Sequence, residues 1–320
     1  MDKLVSIIVP VYNKQETIVK CLNSLARISY EKLEIIIVDD GSTDKSSELC
    51  QKQCIKNKKF KYFRKDNGGV SSARNYGIKK ANGDFIFFVD ADDSVSSDII
   101  SESLRCLCEN DCLVFSCYSE YLDGNVIDSS LCKTYLIDDF FDVFFNKYNS
   151  YVMNTPWNKV YRSRIIIEND LKFDESLNLG EDLCFNIDYY LHCNNVKIIN
   201  TQLYFYSYSE SGLTNCKRNV LDLWKSEYKS LKKIKKITTV LNKIDSGVIN
   251  NYIMIRIKKV LSIYLDKCNF KESIELRKVV LKNIKSISMC KIGSILANLK
   301  IYIYIFLLPE IYLKNRMKRG

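Results

Sequence analysis

Near the start of the chain, apolar residues come in short unbroken runs, and between the runs they recur at helical spacing. "LVSIIV" (4–9) and "LEIIIVDD" (33–40) are rich in β-branched residues, the first ended by Pro10 and the second by Gly41. "FKYF" (60–63) and "FIFFVD" (85–90) predict a third and a fourth strand. Between them Ile18, Cys21, Leu22 and Leu25 fall on one helical face. "STDKSSELCQKQC" predicts a helix capped near Ser42 or Thr43, and another helix runs from about Val70 to Lys80. Strands apolar throughout, alternating with amphipathic helices, predict a parallel sheet covered on both faces, with right-handed crossovers. The class is α/β.

The middle is less regular. "CLVFSCYSEYL" predicts a strand from Cys112, "DDFFDVFFNKY" an aromatic helix, and "WNKVYRSRIIIEND" a short strand followed by a short helix. "GEDLCFNIDYYLHC" predicts a helix from Gly180, and "VKIIN" and "LYFYSYS" two strands. Beyond Asn219, Leu, Ile and Lys recur at spacings that suit amphipathic helices.

Charge sharpens this division. From Lys217 onward there are 24 Lys+Arg against 7 Asp+Glu, and before it 24 against 31, so the net +10 hides an acidic front and a basic back. The boundary is set at 217 on that shift alone, giving domains 1–216 and 217–320. The thirteen cysteines are odd in number, scattered, and lack zinc-ligand spacing, which predicts free thiols in a reducing cytosol. The lone histidine, His192, rules out a Ser-His-Asp triad and is assigned no role. "MDKLVSIIVP" carries no secretory h-region, and Ile301–Leu308 is too short to span a bilayer.

In open parallel sheets, ligands bind at the carboxyl ends of the strands. Those tips read "PVYN", "VDDGSTD", "KDNGGVSSARN" and "VDADD", all polar and three of them acidic. Asp and Asn are also ordinary turn formers, but four such tips in order exceed what turns need. Neither a P-loop nor a GxGxxG fingerprint is present. Asp90, Asp92 and Asp93 crowd like charge after a buried strand, which calls for a positive partner. Carboxylates suit Mg²⁺ or Mn²⁺, which in turn hold a nucleotide diphosphate.

"VSIIVPVYN", "EIIIVDDGSTD", "NGGVSSARNYG", "GDFIFFVDADD" and "GEDLCF" together resemble the family-2 glycosyltransferases of the GT-A fold, most closely bacterial enzymes of capsular, exopolysaccharide or lipopolysaccharide synthesis. The resemblance covers about residues 4–220. It implies a Rossmann-like, mostly parallel central sheet with helices on both faces, followed by a C-terminal helical region. The nucleotide-sugar half would be about 1–110 and the acceptor half about 111–216.

The resemblance also implies roles. Pro10, Val11, Tyr12 and Glu16 would line the nucleoside pocket, and Asp40, beside Asp39, would meet the uracil edge. Asn67, Gly69 and Arg74 would close over the nucleotide. Asp90-Ala91-Asp92 matches the DxD motif, with Asp92 the metal ligand and Asp90 near the ribose and donor sugar or on the metal. Asp182 matches the general base, supported by Glu181, although acids also favour a helix start for electrostatic reasons alone. Trp157 would stack on an acceptor sugar or pack in the core, and Lys217 and Arg218 would fold over the diphosphate.

The reaction implied is an inverting transfer from a UDP-linked sugar to a hydroxyl of a polyprenyl-diphosphate-linked saccharide. The lysine-rich end, with "IYIYIFLL", suits an interfacial helix on an anionic leaflet, which implies a cytoplasmic protein peripheral on the inner face of the cell membrane. A solvated helical subdomain is the plainer alternative. Nothing resembles a nucleic-acid-binding motif. Two rival functions are a degenerate scaffold partner of another transferase and a metal-dependent nucleotidyltransferase, whose Gly-rich phosphate loop "PVYNKQE" does not provide.

Overall fold

The computed structural model describes residues 3–119, 127–146, 154–177, 179–207, 220–241, 248–249, 252–253, 255–257 and 279. Its front half runs β1 (Val5–Val11), α1 (Ile18–Ala26), β2 (Leu33–Asp39), α2 (Ser46–Lys56), β3 (Phe60–Arg64), α3 (Val70–Lys80) and β4 (Phe85–Phe88). β1 pairs in parallel with β2 and with β4, and β2 with β3. β1 and β2 are buried at every position, as a sheet covered on both faces requires. Alternation is visible inside the burial. Leu33, Ile35 and Ile37 belong to one core cluster with α1, whereas Ile36 and Val38 meet Ala73 of α3 on the other face. Gly77 lets α3 lie close against β1, because a Cβ there would stand 2.4 Å from Cγ2 of Ile8.

The rest of the sheet departs from a purely parallel arrangement. After β5 (Ser94–Val95) and α4 (Ile99–Leu107) come β6 (Cys112–Tyr118), β7 (Thr134–Leu136), α5 (Ile137–Asn146), β8 (Lys159–Arg162), α6 (Ser163–Glu168), α7 (Glu181–Tyr190) and β9 (Asn195–Phe205). The strand order among the described residues is β3-β2-β1-β4-β8-β6-β9-β5, with β7 also on β9. β8 runs antiparallel between β4 and β6, while β6 and β9 are parallel. The two strands expected from "VKIIN" and "LYFYSYS" are one strand, β9. Register shifts opposite Val114–Ser116 and Ser116–Cys117 absorb the polar residues between them.

The helix expected from Ser42 or Thr43 begins at Ser46 instead. Ser42 is held back by its N–H bond to Asp39 Oδ1 (2.8 Å), and Asp44 Oδ1 accepts from Ser46 N at 2.9 Å in the turn that leads into the helix, whose N-cap is Lys45.

The chain divides into two compact units. One comprises 1–140, 150–177 and 181–216, the other 141–149, 178–180 and 217–320. The second unit therefore takes in short segments upstream of the expected boundary. Its described residues include α8 (Val220–Val240), a buried Trp224, and Arg256 fork-bonded to Glu227 at 2.6 and 2.8 Å. Among the described residues no helix is long and apolar enough to cross a membrane. The segment 295–320, expected to lie on a membrane, falls outside them.

Candidate functional site

The tip of β2 carries two acids with different employment. Asp39 is fully buried and accepts from Ser42 N, from Ser47 Oγ and from Tyr62 OH at 2.6 Å. Burial alone would raise its carboxyl, but these hydrogen bonds outweigh it and hold the group below the usual range. Asp40 accepts the amide N–H of Gly68 (3.0 Å) and of Gly69 (2.7 Å), and pairs with Lys65 Nζ at 2.7 Å. Asn67 Nδ2 closes the same turn on the Asp40 carbonyl at 3.0 Å.

Asp40 thus shapes the glycine loop at the start of α3, where Gly69 has φ +87°. Both of its oxygens accept hydrogen bonds from that loop. Replacing Asp40 with Ala is expected to speed hydrogen exchange at amides 68 and 69 about tenfold or more, since a bond to a charged acceptor contributes roughly 1.5–3 kcal/mol. Unchanged protection at both amides would show that the loop stands without it.

The tip of β4 is where the acids gather. Arg74, 3% exposed on α3, donates from Nη2 to Asp90 Oδ1 at 3.0 Å and from Nη1 to Asp182 Oδ1 at 2.6 Å. Its guanidinium lies 5.3 Å from the Phe173 ring centroid. Burial would favour the neutral form, but the charges of Asp182, Asp90 and Glu181 prevail and raise it further. One guanidinium therefore joins the acid after β4 to the acid that opens α7. Burial pushes Asp182 up to about 7, against the pull of Arg74 and with help from Glu181 and Asp90. Glu181 stands beside it with Oε2 buried and unpartnered among the described residues.

Asp92 pairs with Lys14 Nζ. Asp93 is buried and accepts from Tyr204 OH (2.6 Å) and Ser207 N (2.8 Å). Tyr204 OH in turn accepts from Asp90 N at 3.1 Å, so Asp93 and Tyr204 hold the acidic loop to the end of β9. Nearby, Lys159 is fully buried, donates to Asn158 Oδ1 at 2.6 Å and to the Thr155 carbonyl, and is lowered to about 7 by burial.

The remaining expected residues fall in several places. Pro10 and Val11 are buried within β1, and Ala91 is buried in the core, so their side chains are not open to a ligand. Tyr12, 48% exposed, is open at that first tip, as is Asn13. Glu16 is exposed, with Oε1 accepting from Gln15 Nε2 at 3.0 Å. Arg74, expected to close over a nucleotide, is instead turned inward by α3 and held by two carboxylates. Trp157 is 3% exposed and stacks on Tyr204 and Tyr206 at 4.6 and 5.7 Å between centroids, so the core alternative describes it and the sugar-stacking one does not. Lys217 and Arg218 lie outside the described residues.

The sequence reading missed Lys14 and the bridging use of Arg74. Among the described residues, the cations paired with the acids after β4 are those two side chains. The signal for Lys14 was its place directly after "VYN", on a loop that must face the other tips.

Among the described residues no three His, Cys, Asp or Glu side chains cluster tightly enough to hold a metal by themselves. Asp92 and Asp90 are carboxylates with 20% and 27% of their side chains exposed. One or two such oxygens plus substrate phosphates are what Mg²⁺ commonly takes, so the donor set fits a hard cation brought in with a diphosphate.

The model of the family described as glycosyl transferase family 2 matches residues 6–169, just over half of the chain, and these include both strand tips and Arg74. The chain belongs to glycosyl transferase family 2. Over 223 residues it is 32% identical to the uncharacterized glycosyltransferase EpsJ of Bacillus subtilis, covering 67% of this chain and 64% of EpsJ. It is 29% identical over 210 residues to the poly(ribitol-phosphate) beta-N-acetylglucosaminyltransferase TarS of Staphylococcus aureus, covering 65% of this chain and 36% of TarS. The chain thus spans less than two thirds of the length of these relatives.

The crystal structure of TarS residues 1–349 with UDP-GlcNAc superposes with a TM-score of 0.71 at 23% identity, covering 89% of this chain and 81% of that one. That likeness establishes the fold as that of family-2 transferases of the GT-A kind. A mannosyltransferase from Pyrobaculum calidifontis, solved with GDP-Man and Mn²⁺, superposes at 0.54 with 12% identity, covering 98% of this chain and 88% of that one.

Proposed function

We infer that the chain is an inverting glycosyltransferase of cell-surface polysaccharide synthesis. It moves a sugar from a UDP-linked donor to a hydroxyl of a saccharide carried on polyprenyl diphosphate. The observation that carries this reading is the single Arg74 guanidinium shared by Asp90 and Asp182, inside a family-2 chain. It puts a carboxylate suited to the donor side within reach of a carboxylate suited to the acceptor side. The bound UDP-GlcNAc of TarS supports the choice of donor class.

In this reading the acceptor hydroxyl attacks the anomeric carbon as the bond from that carbon to the diphosphate oxygen breaks, and the hydroxyl proton passes to Asp182. A carboxyl raised to about 7 is well matched to that task near neutral pH. Glu181 supports the base or the acceptor. Asp92, with Asp90, would hold Mg²⁺ or Mn²⁺, which when bound supplies positive charge to the departing diphosphate. Tyr12, which is exposed, would offer an aromatic face at the nucleoside end, and Asn67 and Gly69, in the loop bonded to Asp40, would close over the nucleotide. Lys217 and Arg218 would add charge at the diphosphate, and the basic C-terminal region would rest on an anionic membrane surface at the inner face of the cell membrane.

The test is a screen of nucleotide-sugars for transfer or hydrolysis by the purified chain, paired with calorimetry of UDP and Mn²⁺. Mn²⁺-dependent UDP binding that is lost in Asp92→Asn is the expected result. UDP binding indifferent to both Mn²⁺ and that substitution would remove the metal assignment, and no turnover of any nucleotide-sugar would favour a scaffold.

A further inference from the structure

Lys14 stands at the acidic tip with no part in the transfer step. Its backbone is fixed: its N–H donates to Ser46 Oγ at 2.7 Å, and its carbonyl accepts from Thr17 N and Ile18 N at 3.1 and 2.9 Å. Asn13, with φ +51°, turns the chain at this point, and its Oδ1 accepts from Thr43 N at 2.8 Å. The loop after β1 is thereby pinned to the loop after β2, and the mobile part of Lys14 is its four-carbon stem. That stem ends on Asp92 Oδ2, with 29% of the lysine side chain and 20% of the aspartate exposed.

Each acid of the tip has its own partner. Asp90 has Arg74, Asp93 has Tyr204 and the Ser207 amide, and Asp92 has Lys14. The Arg74 and Tyr204 side chains are buried and hold their places by several contacts. Lys14 holds its place by one ion pair at a half-open surface. A divalent cation and an ammonium cannot both sit in contact with one carboxylate oxygen without strong repulsion, because like charges a few ångströms apart are poorly screened near a protein surface. A lysine is a compact charge on a flexible arm, with three donors that suit a phosphate.

We propose that Lys14 is a displaceable counter-ion: it occupies Asp92 while no donor is bound, and swings onto the donor's diphosphate when a divalent cation takes Asp92. The proposal rests on the assignment of Asp92 as the ligand of that cation. Its consequence is coupling. The cation alone must evict Lys14 with nothing to receive it, whereas cation and diphosphate together give both charges a partner. By linkage, each then strengthens the binding of the other by the same factor.

The test uses the full chain, with free Mn²⁺ followed by its electron paramagnetic resonance signal, with and without UDP. In Lys14→Met, which keeps the stem and removes the charge, Mn²⁺ alone is expected to bind about tenfold tighter than in the wild type, a size typical of coupling between sites. UDP at saturating Mn²⁺ is expected to bind more weakly, so the mutual enhancement shrinks. Lys14→Arg keeps the charge and is expected to keep the enhancement, and Lys14→Gln repeats the neutral comparison should the Met variant fold poorly.

Equal affinity for Mn²⁺ alone in the wild type and in the neutral variants overturns the proposal. Asp92→Asn tells the metal assignment and the counter-ion role apart. If it binds Mn²⁺ and UDP as the wild type does, the assignment of Asp92 is wrong. If it loses that binding while the Lys14 variants behave as wild type, only the counter-ion proposal fails.

Discussion

An Asp182→Asn protein is expected to fold, to bind UDP with Mn²⁺ as the wild type does, and to transfer sugar about 10²–10⁴-fold more slowly, the usual worth of a positioned general base. Asparagine preserves the shape and an oxygen for Arg74, so the loss reports the missing proton acceptor rather than a collapsed site. The pH dependence gives a second readout. Burial chiefly, with Glu181 and Asp90, raises the Asp182 carboxyl to about 7 against Arg74. A base works ionised, so wild-type kcat/KM is expected to rise with pH through about 7 and to be lost as pH falls below it. The residual activity of the Asn variant should lack that step. Wild-type turnover in the variant, or a wild-type profile that is flat across pH 6–8, would take the proton-accepting role away from Asp182.

Removing Arg74 is expected to give the largest effect on stability. Its guanidinium sits between Asp90 and Asp182 with Glu181 close by, and its side chain is only 4% exposed. An Arg74→Met variant fills similar space but leaves the carboxylates facing one another. Breaking a buried pair costs roughly 3–5 kcal/mol, and the low end applies because each carboxylate keeps about a quarter of its surface in water. For a unit of this size, about 3 kcal/mol corresponds to a fall in Tm of roughly 6–12 °C.

The sign of the pH effect is fixed by the carboxyls. Asp182 already takes up its proton near 7, and acid neutralises the repelling group, so the deficit should be larger at pH 8.5 than at pH 5.5. Arg74→Lys, which restores a charge but not the two-pronged geometry, should recover part of it. An unchanged Tm in the Met variant would mean that water or another cation replaces the bridge.

β1, β2 and β4 were legible because each is buried at every position, so that its apolar run needs no alternation to be seen. The edge strand β3 buries only Phe60 and showed through its aromatic residues. β5 and β7 were harder for the opposite reason. They are two and three residues long, and their strand character comes from the partner they meet on β9 rather than from their own composition, whereas β8, four residues long, was read as a short strand in "WNKVYRSRIIIEND". α4 carries its signal in Ile99, Ile100, Leu104 and Leu107, directly after the acidic cluster. The candidate site was legible in its acids, because carboxylates at strand tips are conspicuous where turns would suffice. Its cations were legible only in part. The resemblance brought Arg74 forward as a nucleotide residue, but its bridge between two acids shows only when α3 docks with that face inward, and Lys14 carries no pattern at all until two loops are pinned together. Trp157 shows the same limit from the other side: an aromatic residue beside a site cannot be told from a core one until Tyr204 and Tyr206 close over it.

The strand order has a consequence for synthesis on the ribosome. β1 to β4 emerge as consecutive parallel units that can assemble as they appear, yet the outer edge of β4 accepts β8, which is made much later. Until Lys159–Arg162 leave the exit tunnel, the nascent chain would carry the open edge Phe85–Phe88, apolar at every position. Chains stalled or truncated between β6 and β8 should therefore be the species that chaperones capture and that form inclusion bodies, while chains extended past Arg162 escape both fates.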